Sequence, residues 1–179
     1  MKTTLIIAAI LSAFSGVALA AGNTIDLEQV GDVLGGDSYT LTSDALSDLG
    51  AINVVTGTEA IGGNSVTVDQ TGSSDGTIAN VAIGATLAEG LVPASDHYAS
   101  STTADNNTVA LNQSGSKDLA NIQVGGADNS ITVDQTGANN VANIGVDGSL
   151  NTIDVTQAAT DATLNMTVAA AGDTFTIKQ

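Results

Sequence analysis

Amide side chains recur at fixed places in this chain. Gln29, Gln70, Gln113, Gln135, Gln157 and Gln179 each close a motif that reads Asn, Ser or Thr, apolar, any, apolar, any, Gln. Asn23, Asn64, Asn107, Asn129 and Asn151 open the first five copies, and Asp173 opens the last. A primary amide carries two donors and an acceptor, so a column of such side chains can hydrogen-bond to itself without limit. A ladder of that kind satisfies polar groups that would be costly to bury alone. The plainer reading is that these are turn residues, which Asn at a strand edge often is. Gln at one inward-facing place in six copies fits that reading poorly.

Other chemistry is scarce. The chain has no Cys, so it has no disulfide, thiolate nucleophile or Cys-based metal site. His97 is the single His, which excludes a His-rich metal centre and makes it a surface residue of Ser95-Asp96-His97-Tyr98 rather than a base. Carboxylate pairs could be drawn from 19 acids at will, so no pair is informative, and the expectation is that the chain is not an enzyme and takes no cofactor or metal. Three Lys and no Arg against those acids give a net charge of −16, which excludes a phosphate-binding basic face. Gly35-Gly36-Asp37 and Gly125-Gly126-Ala127-Asp128 resemble the turns of a calcium-binding β-roll. That fold needs a period of about nine residues, and the period here is 22. The outward places mix Thr, Asp, Ala and Asn, a poor face for binding ice.

The elements that carry the amides follow from periodicity. Motif starts at 107, 129, 151 and 173 are each 22 apart. Inside each copy the period is two, a strand pattern and not a helical one. In the Asn129 copy, Asn129, Ile131, Val133 and Gln135 share one side, and Ser130, Thr132 and Asp134 the other. A second half follows the turn, as in Ala120-Asn121-Ile122, Ala142-Asn143-Ile144 and Leu164-Asn165-Met166. Gly72, Gly115 and Gly137 fall in the connecting turns, where unusual dihedrals are expected of them. A strand pair this small cannot bury its apolar side alone, but a stack of pairs can. The expected fold is all-β, a β-solenoid of strand-turn-strand repeats with about 4.8 Å rise per coil. A slip of one residue would turn Gln outward and Thr or Asp inward, so the ladder also sets register.

Clear repeats cover 23–31, 64–84 and 107–179. The stretches 43–63 and 85–106 break the pattern, and each reads as a degenerate coil or a long surface loop, with a lean towards coils. Pro93 can occupy a turn or bulge there but not a paired central strand. Residues 1–20 read as a cleaved export signal: Lys2, the apolar run Leu5 to Leu11, and Ala18-Leu19-Ala20 as an A-x-A cleavage site. That run is too short for a stable span, so 21–179 is expected to be secreted, with no membrane insertion and no nucleic-acid partner.

The pattern resembles the curlin repeat, the unit of curli-type functional amyloid, which runs Ser, five residues, Gln, x, Gly, two residues, Asn, x, Ala, x, Val, x, Gln. The Asn129 copy supplies Gln135, Gly137, Asn140, Ala142 and Ile144 at those spacings. The Asn107 copy supplies Gln113, Gly115, Ala120 and Ile122, with Asp118 in the Asn place. The Asn151 copy keeps Gln157 but has Ala159 for Gly and Ala162 for Asn. The opening Ser is Asn here, and the closing Gln is Val124, Val146 or Val168. The resemblance implies a secreted fibre subunit of bacterial biofilm matrix that adds to itself end to end. It also implies a nucleator subunit and an outer-membrane secretion pore as partners.

Open solenoid ends present unpaired backbone groups, and the motifs at Asn23 and Asp173 are expected to be templates for the next subunit. The competing reading is a non-polymerising β-solenoid adhesin or matrix protein with capped ends. Asp26, Asp69, Asp134 and Asp154 fall at outward and turn places, where stacked like charges about 4.8 Å apart repel, so low pH, salt or divalent cations are expected to speed assembly.

Overall fold

The computed structural model describes residues 24–29, 38–43, 51–56, 63–70, 76–84 and 104–179. Their strands, in chain order, are β1 (Thr24–Gln29), β2 (Ser38–Ser43), β3 (Ala51–Thr56), β4 (Ser65–Gln70), β5 (Ile78–Ile83), β6 (Ala104–Asp105), β7 (Thr108–Gln113), β8 (Leu119–Ala127), β9 (Ser130–Gln135), β10 (Val141–Asp147), β11 (Thr152–Gln157), β12 (Thr163–Val168) and β13 (Thr174–Lys178). All pair in parallel, in two sheets. The first sheet runs β2-β4-β7-β9-β11-β13, and the second runs β1-β3-β5-β8-β10-β12. Apart from the two-residue β6, which pairs with the end of β8, alternate strands enter alternate sheets, and each strand-turn-strand unit is one coil of a β-solenoid stack.

The pleat explains the burial. Val66 and Val68, Val109 and Leu111, Ile131 and Val133, and Ile153 and Val155 point inward from the first sheet and are buried. Ala79, Val81 and Ile83, Ala120, Ile122 and Val124, and Ala142, Ile144 and Val146 do so from the second. Small Ala stands in one column where Ile or Val stands in the next, so the layers interlock. Each large apolar side chain buried in this way contributes about 1.5–3 kcal/mol. On the outer side of the first sheet Thr108, Ser130, Thr132, Thr152 and Asp154 stay exposed.

Two expectations need correction. The motif ending at Gln29 does not join the sheet of the other copies. β1 pairs with β3 in the second sheet, with Gln29 beside Thr56 and hence in the column of Ile83 and Val124. The alternation of Ile25 and Leu27 suits either sheet, so it cannot choose between them. Strand order chooses: β2 and β3 form the next coil, which leaves β1 the second-sheet place before it. Asn23 lies outside the described residues. The second correction concerns 85–106. β4 pairs directly with β7 and β5 with β8, so no hidden layer lies between these coils. The stretch 43–63, by contrast, contains β3, which completes the coil begun by β2.

The turns are also built differently from the expectation. Gly115 and Gly137 do not have positive φ, and Gly72 lies outside the described residues. The left-handed place falls on Lys117, Asn139 and Asp161, at φ 55°, 56° and 62°. Asn106, Asp128, Leu150 and Gly172 hold it in the other turn, at φ 52°, 57°, 63° and 79°. Glycine is required at 115 and 137 by closeness of the next coil. A Cβ on Gly115 would overlap the Gly137 carbonyl oxygen, and one on Gly137 would overlap that of Ala159.

Candidate functional site

Three rows of amides run along the stack, each one residue wide and one coil per step. In the first, Gln70 Nε2 donates to Gln113 Oε1 at 3.0 Å. Gln113 donates to Gln135, Gln135 to Gln157 and Gln157 to Gln179, each at 2.8 Å. The second amide hydrogen crosses the corner to the other sheet. Gln113 reaches the Ile78 carbonyl at 3.1 Å, Gln135 that of Leu119 at 3.2 Å and Gln157 that of Val141 at 3.1 Å. Gln70, Gln113, Gln135 and Gln157 are fully buried. Each therefore clamps two coils and two sheets with one group. Gln70 opens the row, and its Oε1 has no partner among the described residues. The residue in register before it is Ser43, too short to carry an amide.

The second row runs in the opposite sense. Asn107 Nδ2 donates to Asn64 Oδ1 at 3.2 Å, Asn129 to Asn107 at 3.0 Å and Asn151 to Asn129 at 3.1 Å. The same oxygens accept the backbone N–H of the coil above, at 3.0 Å in each case. Asp173 ends this row by donating its backbone N–H to Asn151 Oδ1 at 3.0 Å. Each Asn also ties down a turn, as Asn129 Nδ2 does with the Gly148 carbonyl at 2.8 Å.

The third row was not among the expected ladder residues. Asn53, Asn80, Asn121, Asn143 and Asn165 donate one to the next, Nδ2 to Oδ1, at 2.7 Å each. Its signal was in the sequence, as the Asn of each second half. Asn53 carried no such signal, because its coil departs from the motif everywhere else.

Acids do not stack on acids in the first sheet. Asp69 is in register with Asn112, Asn112 with Asp134, and Asp134 with Thr156. Asp154 lies between Thr132 and Thr176. The expected repulsion along these columns is therefore diluted by neutral neighbours. In the second sheet, Asp26 is in register with Asn53.

Asp118 carries a carboxylate inside the stack. It is fully buried, and its Oδ2 has no partner among the described residues. Burial pushes its carboxyl up from the ordinary 3.8, against the backbone N–H of Asn140, which donates to Oδ1 at 2.9 Å and favours the charged form. A carboxyl held higher in the folded state binds its proton more tightly there than in the unfolded chain. Its contribution is complete below the unfolded value and is lost as pH rises through the folded one. Asp118→Asn should therefore raise stability at pH 7 by about 1 kcal/mol, one buried hydrogen bond, and flatten the acid limb. Denaturant midpoints from pH 3 to 7 for both chains measure this.

Among the described residues no group of three His, Asp or Glu side chains could hold a metal ion. His97, Pro93 and Gly35-Gly36-Asp37 lie outside the described residues. Among the described residues a shallow surface groove, between the outer side chains of β4, β7 and β9, is lined by Thr67, Asp69, Ala110, Asn112, Thr132 and Asp134.

Parallel coils, two sheets and amide rows define a polar-laddered β-solenoid. The curlin-associated repeat family matches residues 104–137 and 126–158. Over that stretch, the part where the rows are most regular, the chain is similar to curlin repeats. No curated protein and no solved structure matches the chain significantly.

Proposed function

We propose that this chain is a structural subunit of an extracellular, curli-like amyloid fibre. The single observation that carries this reading is the continuity of the rows. In the Gln row four successive side-chain bonds join four coils and β13, a self-complementary pattern that has no intrinsic length limit. Curlin repeats are the unit of such fibres, and the match at 104–158 supports the same use here. Among the described residues β12 and β13 are edge strands, whose backbone groups are of the kind that template another strand. The role is cohesive rather than enzymatic. On this reading residues 1–20 direct export, and the fibre belongs to a bacterial biofilm matrix. A nucleating subunit and an outer-membrane pore would be its partners.

A solitary solenoid adhesin is the second reading, and one observation favours it. The inner coils have Gly115 and Gly137 in one turn and Gly126 and Gly148 in the other, each facing the backbone of the following coil at a distance that admits no Cβ. The last coil has Ala159 and Ala170 at those places. A further coil of the same shape would meet two methyl groups.

Removing denaturant from the purified chain distinguishes the two. A fibre subunit gives a seeded lag phase in thioflavin fluorescence and fibre reflections near 4.7 and 10 Å. A soluble β-rich monomer that persists for days overturns the fibre reading.

A further inference from the structure

One place on the outer face of the first sheet lacks the side chain that its neighbours have. The middle outward column runs Thr40, Thr67, Ala110, Thr132, Asp154 and Thr176 in register. Ala110 alone among them carries nothing beyond Cβ. The adjoining column, two residues further along each strand, runs Thr42, Asp69, Asn112, Asp134, Thr156 and Lys178. The shallow groove lies where these columns meet over β7, at the gap that Ala110 leaves. Asp69 and Asp134 flank it from the strands on either side. Their Cα atoms stand two strand spacings apart, about 9.6 Å.

We propose that this groove binds a linear aliphatic diammonium ion, with one ammonium at Asp69, the other at Asp134 and the methylenes lying over Ala110. The charges are complementary. An ammonium carries three donors and no acceptor, and a carboxylate only accepts. A bond between two ionised groups is among the stronger hydrogen bonds. Both carboxylates are half-buried, which screens them less than full exposure would. Asn112 Nδ2 donates to Asp134 Oδ1 at 3.2 Å, which fixes that carboxylate and leaves it lone pairs to offer.

The shape decides which cation fits. Asn112 stands between the two carboxylates, and no group of three acids there could hold a metal ion. A single compact charge therefore meets one carboxylate at a time. Two charges on a flexible chain reach both, and the apolar chain between them rests on the Ala110 methyl and beside the methyls of Thr67 and Thr132. Elsewhere in the middle column a Thr or Asp side chain fills the corresponding place.

Such an ion ties β4, β7 and β9, the first halves of three successive coils. The unfolded chain has no groove, so the ion stabilises the folded stack by mass action. The site is complete within one copy and does not depend on the polymer reading.

Reach separates this site from general attraction to an acidic chain. Pentane-1,5-diamine can span the two carboxylates, and propane-1,3-diamine, of equal charge, is too short to. The full chain, as monomer or fibre, is dialysed to equilibrium against an equal mixture of the two at physiological salt, and the retained amines are compared. The expected result is retention of the longer diamine over the shorter by about fivefold, the upper end for one more exposed ion pair. The preference should vanish in Ala110→Thr, which fills the gap with the residue type on either side of it, and in Asp134→Asn. Thr176→Ala, in the same column but outside the groove, should keep it. Circular dichroism shows that each variant retains its strands. Equal retention of the two diamines by the parent chain overturns the proposal. So does a preference that survives in folded Ala110→Thr and Asp134→Asn, or one that Thr176→Ala also removes.

Discussion

Gln135→Glu should destabilise the stack by about 4 kcal/mol at pH 7, the range for a buried charge left without a partner. Gln135 sits in the middle of its row, fully buried, with Gln113 donating to it and with Gln157 Oε1 and the Leu119 carbonyl accepting from it. Glutamate keeps the shape and the first bond. It replaces the donor of the other two with a charged oxygen aimed at two oxygens. Burial and those neighbours raise the folded-state carboxyl, so the loss is smallest below the ordinary glutamate range and grows as pH rises through the folded value. Protonated, the side chain recovers one donated bond of two. Denaturant midpoints at pH 4 and 7 measure both effects. Ser130→Glu, on the exposed outer side of the same strand and between the neutral Thr108 and Thr152, serves as the control and should change stability by no more than about 0.5 kcal/mol. Equal losses in the two variants would mean that the row does not hold the coils together.

Gly137→Ala should cost about 3 kcal/mol, the upper end of what overpacking a tight site costs. Its added Cβ would overlap the Ala159 carbonyl oxygen and come within 2.8 Å of the Asn140 side-chain nitrogen. The carbonyl belongs to backbone held by the next coil, so relief requires separating two coils locally. Gly172→Ala separates this cause from dihedral strain. Gly172 is at φ 79° with nothing near its missing Cβ, so only the left-handed conformation penalises Ala there, by about 1 kcal/mol. If the two variants were equally destabilised, spacing between coils would not be the reason for glycine at 137.

Both results bear on how the chain would work as a fibre. The rows supply cohesion along the axis and fix register, because a one-residue slip would break every amide bond at once. The close turns set which surface can follow which. Cohesion without that selectivity would let any coil add to any other. The methyls of Ala159 and Ala170 narrow the choice at one end.

Much of this was legible in the residues. The 22-residue period, the two-residue alternation and the repeated Gln and Asn determined an all-β stack, which side of the first-sheet strands is buried, and two of the three amide rows; in β5, β8 and β10 both sides are buried, which the alternation did not announce. They did so because stacking makes every coil a copy of its neighbour, so one repeat read correctly describes the others. The third row could have been read from Asn80, Asn121, Asn143 and Asn165 on the same logic, but not from Asn53.

What only the tertiary structure decided depends on neighbours rather than on local pattern. Ile25 and Leu27 alternate as well for one sheet as for the other, and only the strand order sent β1 to the second. The coil of β2 and β3 has no Gln or Gly signature, and only its pairing with β4 and β5 reveals it as a layer. Gly115 and Gly137 look like turn residues chosen for their dihedrals, but their reason is a carbonyl one coil away. Their left-handed neighbours are Lys117 and Asn139, and while Asn is a common turn residue, Lys at that place is not announced by its type. Asp118 reads as a conservative change from Asn, and only its burial turns it into a group that titrates. Sequence period determines the shape of a coil. The distance to the coil above, a property of the stack, determines which residues that shape can tolerate.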